Sequence, residues 1–88
     1  MKATFCCEIF TLSDEHPGWP GRPILYSSDY SSGGRIEKIH EPSDSNGSIS
    51  FGQIVAEWAS KPSRTRKQIA LAAAYCSRWP EGPQVEAR

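Results

Sequence analysis

The amino-acid sequence predicts an α+β domain, in which a small antiparallel sheet of about three strands carries a C-terminal helical hairpin on one face. Two observations lead to this fold class. Over residues 1–49, short segments rich in β-favouring residues alternate with Gly- and Pro-rich stretches. From residue 50 onward, apolar residues recur at helical spacing. The predicted order is therefore β-β-β-α-α, and residues 1–88 are expected to form a single small domain with a thin core.

The first strand is predicted over residues 4–12, a stretch of aromatic and β-favouring residues. Side chains along a strand point alternately to its two faces, so Phe5, Cys7 and Ile9 should share one face, which we expect to be buried. Residues 13–23 follow as a loop, because their prolines and glycines are incompatible with regular strand pairing.

A β-hairpin is predicted next, with strands at residues 24–30 and 35–40 joined by the four-residue stretch SSGG. Its two glycines are expected to supply the positive φ angles of the turn. Residues 41–48 form a second polar loop. A sheet of so few strands leaves an open edge, which can pair with a strand from a partner or with a second copy of the chain as a homodimer.

The first helix is predicted from a stripe of apolar residues at positions i, i+3, i+4 and i+7. The stripe consists of Phe51, Ile54, Val55 and Trp58. Ser50 and Gln53 have the spacing of a capping box at the start of this helix. Pro62 ends it near Ser60.

The second helix is predicted to begin after Thr65, which forms another capping box with Gln68, and to run to Trp79 before Pro80. Its apolar residues fill an arc of roughly 200°, so this helix should contact both the sheet and the first helix. They are Ile69, Leu71, Ala72, Ala73, Tyr75, Cys76 and Trp79. Residues 50–79 thus hold the two helices, and residues 80–88 are predicted to be a flexible tail.

The net charge of zero conceals an asymmetry between the two halves of the chain. Residues 1–49 contain four Lys or Arg and seven Asp or Glu, a net charge of −3. Residues 50–88 contain six Lys or Arg and three Asp or Glu, a net charge of +3. Long-range attraction to nucleic acid is therefore weak, and any anionic partner must bind a local patch.

The sequence favours no catalytic, metal or cofactor site, and we expect a protein that is not an enzyme. Cys6 and Cys7 would point to opposite faces of one strand, so they cannot both bind one metal ion. The sequence has no Cys-x-x-Cys or His-x-x-His spacing among its candidate ligands, which are Cys6, Cys7, Cys76, His16 and His40. The two histidines also have no carboxylate placed to orient them. Three cysteines without a pairing pattern indicate a reducing compartment, and we predict a cytoplasmic location with no membrane association.

The most suggestive feature is a group of four cations around the start of the second helix. This basic corner consists of Lys61, Arg64, Arg66 and Lys67. Cations are unfavourable at a helix N-terminus, where the backbone N–H groups already make the potential positive. The group is therefore a candidate site for a phosphate or for a carboxylate cluster of a partner. The alternative is that these good helix-forming residues solvate a corner of the surface.

Two functional hypotheses follow. The first is a small cytosolic protein-binding module, whose basic corner meets an acidic surface of another protein, with Tyr26, Tyr30 and Arg35 of the hairpin as a second contact. Small inhibitors encoded by phages and mobile elements, including anti-CRISPR proteins, have this general form. The hypothesis therefore extends to inhibition of a host macromolecular complex.

The alternative hypothesis is a nucleic-acid-binding protein. Two helices joined by a short turn have the outline of a helix-turn-helix, and SRTRKQ at the start of the second helix would face bases and phosphates. The zero net charge and the wide apolar arc of the second helix argue against it.

Overall fold

A computed structural model describes residues 1–5, 9–30 and 32–86. Its main sheet has four antiparallel strands in the order β1-β2-β3-β4. They are β1 (Lys2–Phe5), β2 (Phe10–Ser13), β3 (Ile24–Asp29) and β4 (Ile36–His40). Two shorter strands, β5 (Ser45–Asn46) and β6 (Ile49–Ser50), pair separately. The helices are α1 (Phe51–Ala59) and α2 (Arg66–Cys76). The predicted α+β class, with an antiparallel sheet and two C-terminal helices, is confirmed.

The prediction of one strand over residues 4–12 is wrong, because this stretch folds back on itself. Phe5 at the end of β1 pairs with Phe10 at the start of β2. The reversal places Phe5 and Leu12 on the same face of the sheet, which a continuous strand would separate because one position is odd and the other even. Ile9, expected to be buried, has 55% of its surface exposed. Cys7, the third residue of the predicted face, lies outside the described residues.

The hairpin predicted from residues 24–30 and 35–40 is present as β3 and β4, with Ser28 opposite Glu37. Its turn differs in one detail from the prediction. Positive φ angles occur at Ser32 (53°) and Gly33 (76°), whereas Gly34 has none. The turn thus uses a serine where we expected the second glycine, and the left-handed region is accessible to a small polar residue at modest cost.

Both predicted capping boxes are formed. At the start of α1, Ser50 accepts a hydrogen bond from the Gln53 amide, and the Gln53 side chain accepts one from the Ser50 amide. Thr65 and Gln68 make the same reciprocal pair at the start of α2. These bonds satisfy backbone donors that a helix leaves free at its N-terminus.

Helix α2 ends at Cys76, three residues earlier than predicted. Pro80 disfavours helical backbone at the residue before it, and the chain tightens ahead of that point. The amides of Arg78 and Trp79 donate to carbonyls three residues earlier, at 3.3 and 3.1 Å. Beyond the helix, Val85 packs against the core. Flexibility of residues 80–88 stays a prediction.

The core lies between one face of the sheet and the two helices. Its fully buried side chains come from β2, β3, α1 and α2, and they include Leu12, Leu25, Val55, Ala72 and Tyr75. The predicted inward face of the second helix is confirmed for Ile69, Leu71, Ala72, Tyr75 and Cys76. Both helices cover this face of the sheet. The opposite face, which we call the outer face, contacts the loop between β2 and β3 through His16.

Candidate functional site

Arg64, one of the four predicted basic-corner residues, is engaged in packing. Its Nε donates to the carbonyl oxygen of Trp58 at 2.8 Å, and its guanidinium lies 4.4 Å from the centroid of the Trp58 ring. The carbonyl belongs to the last turn of α1, where helices leave acceptors without an internal partner. Phe5 lies against the same indole, 5.0 Å away between ring centroids. Folding therefore accounts for this cation.

The other three residues of the basic corner, Lys61, Arg66 and Lys67, are exposed. Within the described part of the chain, no carboxylate lies at ion-pair distance from any of them. At the same helix start, Thr65 already accepts the Gln68 amide at 3.1 Å. The corner is thus a group of three surface cations beside a capped helix.

The predicted second contact lies on the outer face of the sheet. Tyr30 has 76% of its surface exposed, and the guanidinium carbon of Arg35 lies 5.9 Å from the centroid of its ring. Arg35 also donates to Ser28 Oγ at 3.2 Å. Tyr26 is half-buried because the ring of His16 packs edge-on against it, with centroids 4.8 Å apart. Tyr30 and Arg35 are therefore accessible, whereas Tyr26 supports the loop above it.

His16 is paired with a carboxylate, contrary to our expectation for the two histidines. Its Nε2 lies 3.1 and 3.3 Å from the carboxylate oxygens of Glu37 on β4. The Gly18 amide donates to Nδ1 at 3.1 Å, so Nδ1 is the acceptor and Nε2 carries the proton donated to Glu37. Both ring nitrogens are thus occupied. This arrangement anchors the loop to the sheet and leaves no free nitrogen to act as a base.

These side chains form one continuous surface, which we call the outer patch. Trp19, 38% exposed, lies 5.5 Å from His16 between ring centroids. From His16 the contacts continue through Glu37, which Arg35 approaches at 3.4 Å, to Tyr30. Sequence reasoning missed His16 and Glu37 because they are 21 residues apart, and only the fold of the loop between β2 and β3 over the sheet brings them together. The complete outer patch consists of His16, Trp19, Tyr26, Tyr30, Arg35 and Glu37.

The basic corner and the outer patch belong to opposite layers of the domain. The corner lies at the start of α2 in the helical layer, whereas Arg35 and Tyr30 project from the sheet face that the helices leave uncovered. Lys67 nonetheless lines a depression together with Asp14 and Gly21 of the loop that carries His16 and Trp19. The structure does not join the two sets of predicted contact residues into a single site.

His40 makes the contact most similar to a catalytic pair, because its Nε2 lies 2.9 Å from Ser27 Oγ. Its ring is stacked on Phe51, with 4.3 Å between centroids, and burial lowers the pKa of the imidazole. The nearby Asp44 carboxylate accepts the Glu41 amide at 2.9 Å and makes no hydrogen bond to the His40 ring. A Ser–His pair that the Asp44 carboxylate does not orient fits a partly buried structural hydrogen bond better than a nucleophile.

Cys76 is a buried thiol, as the sequence predicts for this position. Its Sγ is 3.5 Å from the carbonyl oxygen of Gly52, and burial raises its pKa to about 11. Cys6 and Cys7 lie outside the described residues. Over residues 1–5, 9–30 and 32–86, no group of three or more His, Cys, Asp or Glu side chains is arranged to hold a metal ion.

Comparison of the chain with protein-family models, with curated proteins and with solved structures finds no match. Neither helix in the described part of the chain has the length and apolar character needed to cross a lipid bilayer. The outer patch and the basic corner are therefore the features of this chain from which a function can be inferred.

Proposed function

We propose that this protein is a non-catalytic protein-binding module whose principal contact surface is the outer patch. The observation that carries the proposal is the exposure of Tyr30 beside Arg35, on a sheet face that the helices do not cover. Tyr, Trp and Arg are the residue types that contribute most to binding energy at protein interfaces. The patch contains all three, with Trp19 at its other end.

The internal contacts of the patch favour binding because they hold it in place beforehand. Glu37 accepts hydrogen bonds from both His16 and Arg35, which come from a loop and from the β3–β4 hairpin. Side chains that are already ordered lose less conformational entropy when a partner binds. A partner would therefore meet a surface whose aromatic and Arg groups are largely preorganised.

The basic corner has a secondary role in this proposal. Lys61, Arg66 and Lys67 are exposed cations that favour approach of a partner with an acidic surface, because complementary charges increase association rates more than they increase affinity. Within this class we further propose an inhibitor of a cytoplasmic host complex, of the kind that phages and mobile elements encode. A small module without a catalytic constellation would inhibit by occupying a surface of its target.

A protein partner is favoured over nucleic acid by the exposed side of α2. Beyond its first turn, this side carries Ala70 and Ala74. Alanine makes apolar contacts with thymine methyl groups but cannot donate or accept the hydrogen bonds that read base edges. A recognition helix needs polar side chains at such positions, so the helix-turn-helix alternative would depend on Arg66 and Lys67 alone.

Affinity capture from a lysate of the native host tests the proposal, with and without nuclease treatment. We expect a captured protein that nuclease does not release, and an affinity at least about tenfold weaker for Tyr30→Ala. Glu57→Ala, at an exposed position of α1 that belongs to neither the outer patch nor the basic corner, is the matched control and should retain binding. Capture that is lost on nuclease treatment, unaffected by Tyr30→Ala and abolished by Arg66→Glu with Lys67→Glu would instead establish the nucleic-acid alternative.

A further inference from the structure

Strand β4 forms an open edge of the main sheet. It pairs with β3 on one side, and in the described ranges no strand pairs with its other side. A shallow depression of about 670 Å³ lies beside its second half, with Ile39 and His40 in one wall and Ser45 in the other. Edge strands present free N–H and C=O groups that can pair with another strand.

An apolar side chain lies at the start of this edge. Ile36, with 52% of its surface exposed, lies on the side of the sheet that faces the helices but beyond their cover. With Ile9 it borders a depression of about 430 Å³. An exposed isoleucine on the unpaired edge, next to an apolar depression, makes a surface that gains free energy when it is covered.

We propose that two copies of this chain associate through antiparallel pairing of their β4 strands, with Ile36 opposite Ile36 of the second copy. A two-fold axis perpendicular to the sheet is the symmetry of such a pair, and it keeps the corresponding faces of both sheets on the same side. Arg35 then lies opposite Glu37 of the second copy, and Glu37 opposite Arg35 of the second copy. Opposite charges at such positions stabilise a strand pair.

The charges along β4 select this register over its neighbours. The two-fold axis requires side chains opposite each other to share a face, so the pair must be centred on a residue. Centring on Arg35, Glu37 or Lys38 places that charged residue opposite its own copy. Centring on Ile39 places Glu37 opposite Glu41. Like charges directly opposite each other are destabilising, and the register centred on Ile36 avoids all four contacts.

The same register also leaves room for the long side chain of Lys38. Lys38 comes to lie opposite Gly34 of the second copy, where even an added Cβ would meet nothing within 4 Å in the single chain. The hairpin turn of the second copy reaches the depression beside Ile39 and His40. The result is a continuous eight-stranded sheet that presents two outer patches side by side. This association shares Arg35 and Glu37 with the outer patch but does not require the proposed outside partner.

Sedimentation equilibrium over micromolar to millimolar concentrations tests the pairing. The wild-type chain should show a concentration-dependent monomer–dimer equilibrium. Arg35→Glu and Glu37→Arg should each raise the dimer dissociation constant at least about tenfold, because each converts two attractive pairs into repulsive ones. An equimolar mixture of the two variants should form a heterodimer, since the altered charges are again complementary across the interface. Contacts within one chain cannot produce that rescue.

Two further variants separate loss of the dimer from loss of the fold and from loss of the outside partner. Ile36→Lys changes an exposed side chain, so it should leave the circular dichroism spectrum unchanged and still abolish the dimer. Tyr30→Ala should retain the dimer while losing the outside partner, so failure of one proposal is distinguishable from failure of the other. A wild-type chain that stays monomeric throughout, or single variants that dimerise as well as wild type, would overturn the pairing. So would a mixture that shows no rescue.

Discussion

The guanidinium of Arg64 lies over the indole of Trp58, 4.4 Å from the ring centroid, while its Nε donates to the carbonyl oxygen of the same residue at 2.8 Å. One side chain thereby caps α1 and covers an aromatic ring of the core. Cation–π contacts and charged hydrogen bonds each contribute on the order of 1 kcal/mol to stability. The chain that links the two helices is therefore attached to the first of them.

Replacing Arg64 by alanine should lower the free energy of unfolding by about 1–2 kcal/mol, because both contacts with Trp58 are lost. Urea denaturation followed by tryptophan fluorescence measures the change. Arg66→Ala is the matched control, and its effect should stay within about 0.5 kcal/mol since this side chain is exposed. Equal effects of the two substitutions would contradict the capping role of Arg64.

Gly82 lies so close to Trp79 that a side chain does not fit. A Cβ at this position would be 2.1 Å from Cε3 of the indole. Gly82→Ala should therefore destabilise the fold by about 1–3 kcal/mol through overpacking, as measured by the thermal and urea midpoints. Gly34→Ala, where nothing lies within 4 Å of an added Cβ, is the control and should be nearly neutral. A Gly82→Ala variant as stable as wild type would show that residues 80–86 move readily away from Trp79.

Acid should destabilise the protein through His40, whose pKa is lowered mainly by burial below its ordinary value of 6.5. The unfolded chain takes up the proton more readily, so protonation favours unfolding. The stabilising contribution of neutral His40 to the free energy of unfolding is fully present above pH 6.5. It is lost as the pH falls toward the lowered pKa of this residue in the folded state. Urea midpoints at neutral pH and at about pH 5 measure this loss.

His40→Gln is the informative variant in that experiment, because it removes the titrating group. It should lower stability at both pH values and reduce the difference between them. An unchanged difference would assign the acid sensitivity to other groups.

The Cys76 thiol should react slowly with thiol reagents, because it is buried and its pKa is raised to about 11 by that burial. The thiolate is the reactive form, and very little of it exists at neutral pH. A chain carrying Cys6→Ser and Cys7→Ser isolates this thiol for measurement with a chromogenic disulfide. Its reaction should be at least about a hundredfold faster in denaturant than in buffer. Equal rates would mean that the α1–α2 contact opens freely.

Local signals predicted much of the fold. Both capping boxes are predictable from the sequence, because Ser50 and Gln53, like Thr65 and Gln68, are three residues apart. The inward face of α2 is predictable from the spacing of its apolar residues. The hairpin between Phe5 and Phe10 is not predicted, because the four residues that join them contain no Gly or Pro to signal a turn. Tertiary packing determines the reversal at this point, because only a reversal brings Phe5 and Leu12 onto the same face of the sheet.

The candidate site was less accessible to sequence reasoning, because its contacts join distant segments. The pairing of His16 with Glu37 depends on how the loop after β2 crosses the sheet, which no local pattern reveals. Proximity in the sequence groups Arg64 with its neighbouring cations, whereas its side chain turns back to Trp58. The sequence predicts Tyr30 and Arg35 as contact residues because both belong to the predicted hairpin.

His40 connects three elements at the end of the edge strand. Its carbonyl oxygen accepts the Tyr75 hydroxyl at 2.6 Å, its ring is stacked on Phe51 of α1, and its Nε2 contacts Ser27 of β3. Edge strands commonly fray before the rest of a domain unfolds, yet separation of β4 at this end would break contacts to both helices at once. Hydrogen exchange should therefore show the C-terminal amides of β4 opening together with those of α2, as one cooperative unit.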